Sequence, residues 1–247
     1  MDTQEIRRSV AAAGFIFRGS ILHHWTGETP AMPPEAGEIV ATRIEEVLRS
    51  TPVLRSLSGQ QALVVSRHAG ALRQLKSPIL FTAVVSLGRQ LLLRDLAHVE
   101  AGDETTRQVA EAIREADERP LRERIAGADL IVAGDVIESR EVEQPTLRRS
   151  EHDPVWWIAR VNATDVLKGR RPREIEVLFA NSKDHVWARS PKLHPPASGI
   201  VLLSRVKADE VPREVPRTAY HATDPLDFHP HDRRGDIERH IGAGGSR

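Results

Sequence analysis

Six titratable side chains gather near the C-terminus: His221, Asp224, Asp227, His229, His231 and Asp232. Imidazole nitrogens and carboxylate oxygens are the usual ligands of divalent transition ions, and alternate residues of an extended segment project the same way. His229, His231, Asp227 and Asp232 are therefore the candidate metal ligands, and an ion held there would activate water for hydrolysis. The spacing departs from an H-x-H-x-D-H run, because aspartate directly follows His231 and arginines come next. The same residues also read as a polar, proline-broken edge in which Asp232 or Asp236 caps the last helix.

A second constellation is aromatic and basic: Trp156, Trp157 and Trp187 among Lys168, Arg170, Arg171, Lys183, His185, Arg189, Lys192 and His194. Single-stranded nucleic acid is held by aromatic faces that stack on bases and by cations that meet phosphates. Trp157 falls on the apolar face of its strand, which leaves Trp156 and Trp187 to stack. The candidate binding residues here are Trp156, Lys183, His185, Trp187, Arg189 and Lys192. The charge balance weighs against nucleic acid, since 35 basic and 35 acidic side chains give a net charge of zero and little counterion-release affinity. Residues 1–115 hold 13 basic and 13 acidic side chains and the remainder 22 of each, so neutrality does not hide one basic domain beside an acidic one.

Long loops supply the third set of candidates. His23–Gly37 and Ser139–Pro154 exceed what a hairpin needs, and Lys207–Thr218 mixes acids, bases and prolines. Trp25 and Met32 on the first loop are apolar groups suited to a partner surface or to folding back on the body. The chain lacks a Walker A pattern, a G-x-G-x-x-G turn and a G-x-S-x-G elbow, so no nucleotide site or serine nucleophile is expected and no cofactor is called for. It has no cysteine among 247 residues, which excludes disulfides, thiolate metal sites and a cysteine nucleophile.

The elements that carry these residues read as a repeat. Laying Gln4–Ile21 on Arg119–Val136 matches Arg7 with Arg122, Ala11 with Ala126, Ala13 with Ala128, Ile16 with Ile131 and Gly19 with Gly134. Ile6/Leu121, Val10/Ile125, Phe15/Leu130, Phe17/Val132 and Ile21/Val136 are apolar in both copies. In each copy there follow a long loop and a strand ending in Val-Leu (Glu38–Ser50, Trp156–Gly169), then a short apolar run (Ala62–Ser66, Glu174–Phe179). A proline-bearing loop, another strand (Ile79–Leu87, Gly199–Val206) and a small helix (Thr105–Ala116, Asp232–Ile241) complete both copies. Period-two alternation with one apolar face marks half-buried antiparallel strands. The first closing helix carries capping-box spacing at Thr105 and Gln108 and is expected to end at Pro120, with a second helix over Leu121–Ala126. The expected fold is mainly β with short helices, two tandem small antiparallel barrels with flanking helices, residues 1–118 and 119–247. So amphipathic a connection predicts that the barrels are docked, and Gly242–Arg247 reads as a flexible tail.

The segments ADLIVAGDVIES (Ala128–Ser139), ARVNATDVLKG (Ala159–Gly169) and GIVLLSRV, with weaker counterparts GFIFRGSI and ATRIEEVLRS, resemble the OB-type barrels of the netrin-like and TIMP-like class. The stretch from EVLFANSKDHVWARSPKLHPPASGIVLL to YHATDPLDFHP also resembles a family of uncharacterised bacterial proteins. The resemblance implies a fold that presents loops and one sheet face to a partner. It does not carry over protease inhibition, which in that class uses an N-terminal cysteine absent here. The reading that follows is a non-enzymatic cytoplasmic interaction module, adaptor or assembly component of two docked OB-like barrels, with no membrane span and a protein partner of unspecified identity. Single-stranded nucleic-acid binding through the second barrel and metal-dependent hydrolysis through the C-terminal His/Asp cluster are the alternatives.

Overall fold

Strands apolar on both faces need two covers, and in this chain an interior core and an outer layer of helix supply them. A computed structural model describes residues 1–25, 37–87, 90–143, 152, 154–170, 172–206 and 215–244. The chain divides into two compact units, Met1–Glu118 and Arg119–Arg247.

The first unit contains helix α1 (Thr3–Ala12), strands β1 (Phe15–His24), β2 (Glu38–Arg49) and β3 (Gln61–Ser66), the short helix α2 (Ala69–Leu72), strands β4 (Pro78–Leu87) and β5 (Leu91–Glu100), and the start of helix α3 (Asp103–Gly127). Asp2 and Glu5 cap α1 reciprocally, each side chain accepting from the other's backbone N–H at 2.8 Å. The strands close into a barrel in the order β1-β2-β3-β5-β4. β3 and β5 are parallel and every other pair is antiparallel. Phe15, Phe17, Val40, Ile44, Val64, Leu80 and Leu93 fill the interior. Ile16, Ile79 and Phe81 point outward and are covered by Ile6 and Val10 of α1 and Val109 and Ala112 of α3. This is why the run Phe15–Phe17 is apolar on both faces.

The second unit continues from α3 through β6 (Leu130–Glu141), β7 (Trp156–Lys168), β8 (Glu176–Ala180), β9 (Ser198–Arg205), β10 (Tyr220–His221), β11 (Phe228–His229) and helix α4 (Arg234–Gly244). Its sheet runs β10-β8-β7-β6-β9-β11, and the two-residue β10 also pairs with β9. Among the described residues the one parallel pair of this sheet is β8 with β10. Leu130, Val132, Val161, Val177, Phe179, Val201 and Leu203 form the inner core. Ile131, Ala133, Ile200 and Leu202 lie beneath Leu121 and Ile125 of α3 and Ile237 of α4. The molecule is mainly β, and among the described residues no helix is long and apolar enough to cross a membrane.

The helix boundaries differ from expectation. One continuous helix covers Asp103–Gly127 with Pro120 inside it, where the sequence predicts an end at Pro120 and a separate helix after it. Proline forfeits one hydrogen bond and crowds the carbonyl four residues earlier. Pro120 lies on an exposed turn, where water can take the freed carbonyl, while Leu121 and Ile125 beyond it are buried. The helix also begins two residues before Thr105, and Gln108 bonds the Glu104 side chain at 2.7 Å in place of the expected capping box.

Candidate functional site

The C-terminal His/Asp residues do not converge. Two tight 3-10 turns, Pro225–Asp227 and His231–Arg233, flank the two-residue β11; the chain is extended through His229 and Pro230, yet the two imidazoles take separate partners on either side of it. Asp227 is fully buried and takes a bidentate contact from the Arg124 guanidinium, together with the backbone N–H groups of Thr223 (2.8 Å) and Asp224 (2.9 Å). His229 contacts the Leu226 carbonyl at 2.8 Å, His231 contacts Ser198 Oγ at 3.0 Å, and Asp232 is exposed. Asp224 caps the first turn through Leu226 N–H, and Asp236 pairs with Arg233 and Arg239. These residues hold the chain's end onto the sheet and form no ligand set.

Burial pushes the His229 imidazole below the ordinary histidine value, and the carbonyl of Leu226 recovers only part of that; Arg233 lowers it further and Asp227 opposes. Burial likewise lowers His194, which stands edge-on to Trp157 (4.8 Å) and Phe179 (5.1 Å), with the Lys192 charge adding to the shift. Both groups therefore bind protons more readily when the chain is unfolded. Their contribution to stability is complete above the unfolded value of about 6.5 and is lost as pH falls below it toward the folded values. Urea midpoints are expected to be level from about pH 8 to 7 and to fall below about pH 6.5, with His229→Gln flattening the decline. An equal decline in that variant would place the titration elsewhere.

The aromatic-basic constellation is brought together in part. Trp156 and Trp187 stand edge to face, with centroids 5.8 Å apart, and so shield one another. Trp157 is half-buried against the inner core beside Phe179. Lys192 is a staple: its ammonium donates to the carbonyls of Ala180, Ser182 (3.2 Å) and Trp187 (3.0 Å), and burial lowers its pKa. Lys168 does the same for the last turn of α3, donating to the carbonyls of Ile125 (2.8 Å) and Ala126 (2.9 Å). Two of the expected phosphate cations are thus committed to backbone oxygens. Lys183, His185 and Arg189 are exposed, as is Arg170, while Arg171 lies outside the described residues.

Trp25 folds back on the first barrel, against the cluster of Ala41, Leu63, Val65 and Leu92. Met32 and most of its loop (26–36) lie outside the described residues, as do 144–151, 153, 207–214 and 245–247; of the tail expected over Gly242–Arg247, the first three residues instead continue helix α4.

A cluster not singled out in the sequence occupies the loops flanking β7 and β8. Asp184 Oδ2 lies 2.8 Å from His152 Nδ1, and Asp184 Oδ1 lies 3.4 Å from His185 Nδ1. The two imidazoles are edge to face at 5.3 Å. The Val186 N–H donates to Asp184 Oδ1 at 2.8 Å; that bond, followed by His152, holds the Asp184 carboxyl below the usual aspartate range. Trp187 donates its indole N–H to the His152 carbonyl at 2.8 Å. Among the described residues this is the one group of three or more His, Asp or Glu side chains whose ligand atoms all lie within 4.8 Å of one another.

No protein-family model matches this chain, and no curated protein matches it.

Register offered a signal for the cluster. Trp156 pairs with Ala180 across the β7–β8 hairpin, so residues four before the one and four after the other, His152 and Asp184, come together.

Proposed function

We propose that the chain is a non-enzymatic protein-interaction module, an adaptor or assembly component, built from two OB-like barrels. The strand pattern supports the OB-like reading: each unit repeats the neighbours 1-2-3-5-4, with the third and fifth strands parallel. The contact surface is the loop face of the second barrel, at Trp156, Trp187, His185, Val186 and Arg189. The observation that carries this reading is how that face spends its charge. Lys192 is tied to three carbonyls, whereas Val186 is 54% exposed and the Trp156–Trp187 pair stands half-buried beside it. A surface of aromatic and aliphatic groups rimmed by Arg189 and Lys183 suits a protein partner better than a phosphate backbone.

The test is affinity purification of the full chain from its native lysate beside the surface variant V186E/R189E. A stoichiometric protein retained by the wild type and lost by the variant is the expected result. Equal retention by both, or no stoichiometric protein at all, would overturn the reading. Tryptophan fluorescence that changes on titration with oligonucleotides at low salt would replace it with single-strand binding.

A further inference from the structure

We infer that His152, Asp184 and His185 form a binding site for one divalent transition ion, of the zinc class, on the loop face of the second unit. Two imidazoles and one carboxylate are the donor set that borderline ions prefer; calcium and magnesium favour sites made wholly of oxygen. The Nδ1 atoms of both histidines already face the two oxygens of Asp184, at 2.8 and 3.4 Å. Ligand atoms about 2 Å from an ion in a tetrahedron stand about 3.3 Å apart, and one ligand atom from each of the three residues already lies within 4.8 Å of the others. His185 is 81% exposed and can turn to complete the set.

The loop that carries Asp184 and His185 is built to hold them. The Val186 amide fixes one oxygen of Asp184, and the Trp187 indole clamps the His152 carbonyl. Lys192 gathers three carbonyls of the segment, and Ser190 Oγ donates to the Thr223 carbonyl at 2.7 Å. Outer contacts of this kind orient ligands and tune the ion they hold. An ion entering here replaces the His–Asp hydrogen bonds with bonds to itself, and three protein ligands leave a position open for water. The site stands on this side-chain geometry and goes beyond the interaction reading without resting on it.

Zinc binding by the full chain, stripped with chelator and followed by equilibrium dialysis and by Trp187 fluorescence, tests the site. One equivalent of zinc is expected to bind, with magnesium in excess failing to displace it. H185Q removes an exposed ligand that stands edge to face with His152 and should weaken binding by about tenfold or more. H23Q/H24Q removes the exposed histidine pair at the end of β1 and should leave binding unchanged. Absence of zinc from the wild type, H185Q binding as tightly as the wild type, loss of the zinc in H23Q/H24Q instead, or displacement by magnesium would each overturn the site.

Discussion

Replacing Arg124 by methionine lowers the stability of the second unit by about 3–5 kcal/mol, a fall in its melting midpoint of roughly 10–20 °C. The reason is the asymmetry of a buried ion pair. The Asp227 side chain has no exposed surface, and Arg124 Nη2 reaches its Oδ2 at 3.0 Å while Nε meets Oδ1. Burial pushes the Asp227 carboxyl above the usual aspartate value, and the guanidinium and the amides of Thr223 and Asp224 oppose that. Without the guanidinium, a carboxylate facing two amides keeps one oxygen with no donor. The chain must then bury an uncompensated charge or open the turn at Pro225–Asp227, which releases β11 from β9. Asp227→Asn should cost less, because Arg124 keeps 21% of its side chain in solvent. The pair R124M/D227L, which removes both charges and leaves apolar groups, should recover part of the loss. Tryptophan fluorescence is a suitable reporter, since Trp156, Trp157 and Trp187 all belong to this unit. A loss below about 1 kcal/mol for R124M would mean that the pair is solvated and contributes no more than a surface bridge.

Arg124 and Asp227 also show why some of the molecule could be read from the sequence and some could not. Ile6/Leu121, Val10/Ile125, Ala13/Ala128 and Ile16/Ile131 are buried at equivalent places in the two units, so matching apolar residues reported matching positions beneath a helix. Strand existence followed from the same burial, and β4 begins at Pro78, one residue before the expected start at Ile79, because a first strand residue needs no ladder donor from its nitrogen. Polar roles were harder, because a side chain of one type serves several ends. Lys192 reads as a phosphate contact until its ammonium is found on three carbonyls, and Asp227 reads as a metal ligand until its partner proves to be Arg124, 103 residues earlier. The His152–Asp184 pair, 32 residues apart, is set by hairpin register and not by motif spacing. Short polar motifs carry little information when loops and turns decide where each side chain points.

Alanine at Gly134 and at Gly19 should destabilise the two units alike, by about 1–3 kcal/mol each. These glycines are identical in the two copies of the repeat, and both lie where β1 or β6 slips register against its neighbour, between Arg18 and Gly19 and between Ala133 and Gly134. There the strand bends so that one length of backbone can pair with two partners, β2 and β4 in the first unit, β7 and β9 in the second. The bend brings backbone against backbone. A Cβ on Gly134 would press into the Asn162 carbonyl oxygen and stand 3.0 Å from Ala163 Cα; one on Gly19 would press into the Arg43 carbonyl and stand 3.1 Å from the Phe17 ring. Neither obstruction is the end of a flexible side chain, so relief requires the strands to separate and their ladder to lengthen. Neither glycine has a positive φ, so the demand is for space and not for a left-handed turn. Gly235 in α4 is the control: nothing stands within 4 Å of its Cβ position, and alanine there should be neutral or stabilising by up to about 1 kcal/mol. Urea unfolding of the three variants distinguishes the cases, because a purely conformational effect would stabilise all three with alanine, whereas a steric one divides the two bulge positions from the helix. Valine at Gly19 or Gly134 extends the series, and a unit that still folds with valine would show that the strands can part at the bend without losing the sheet.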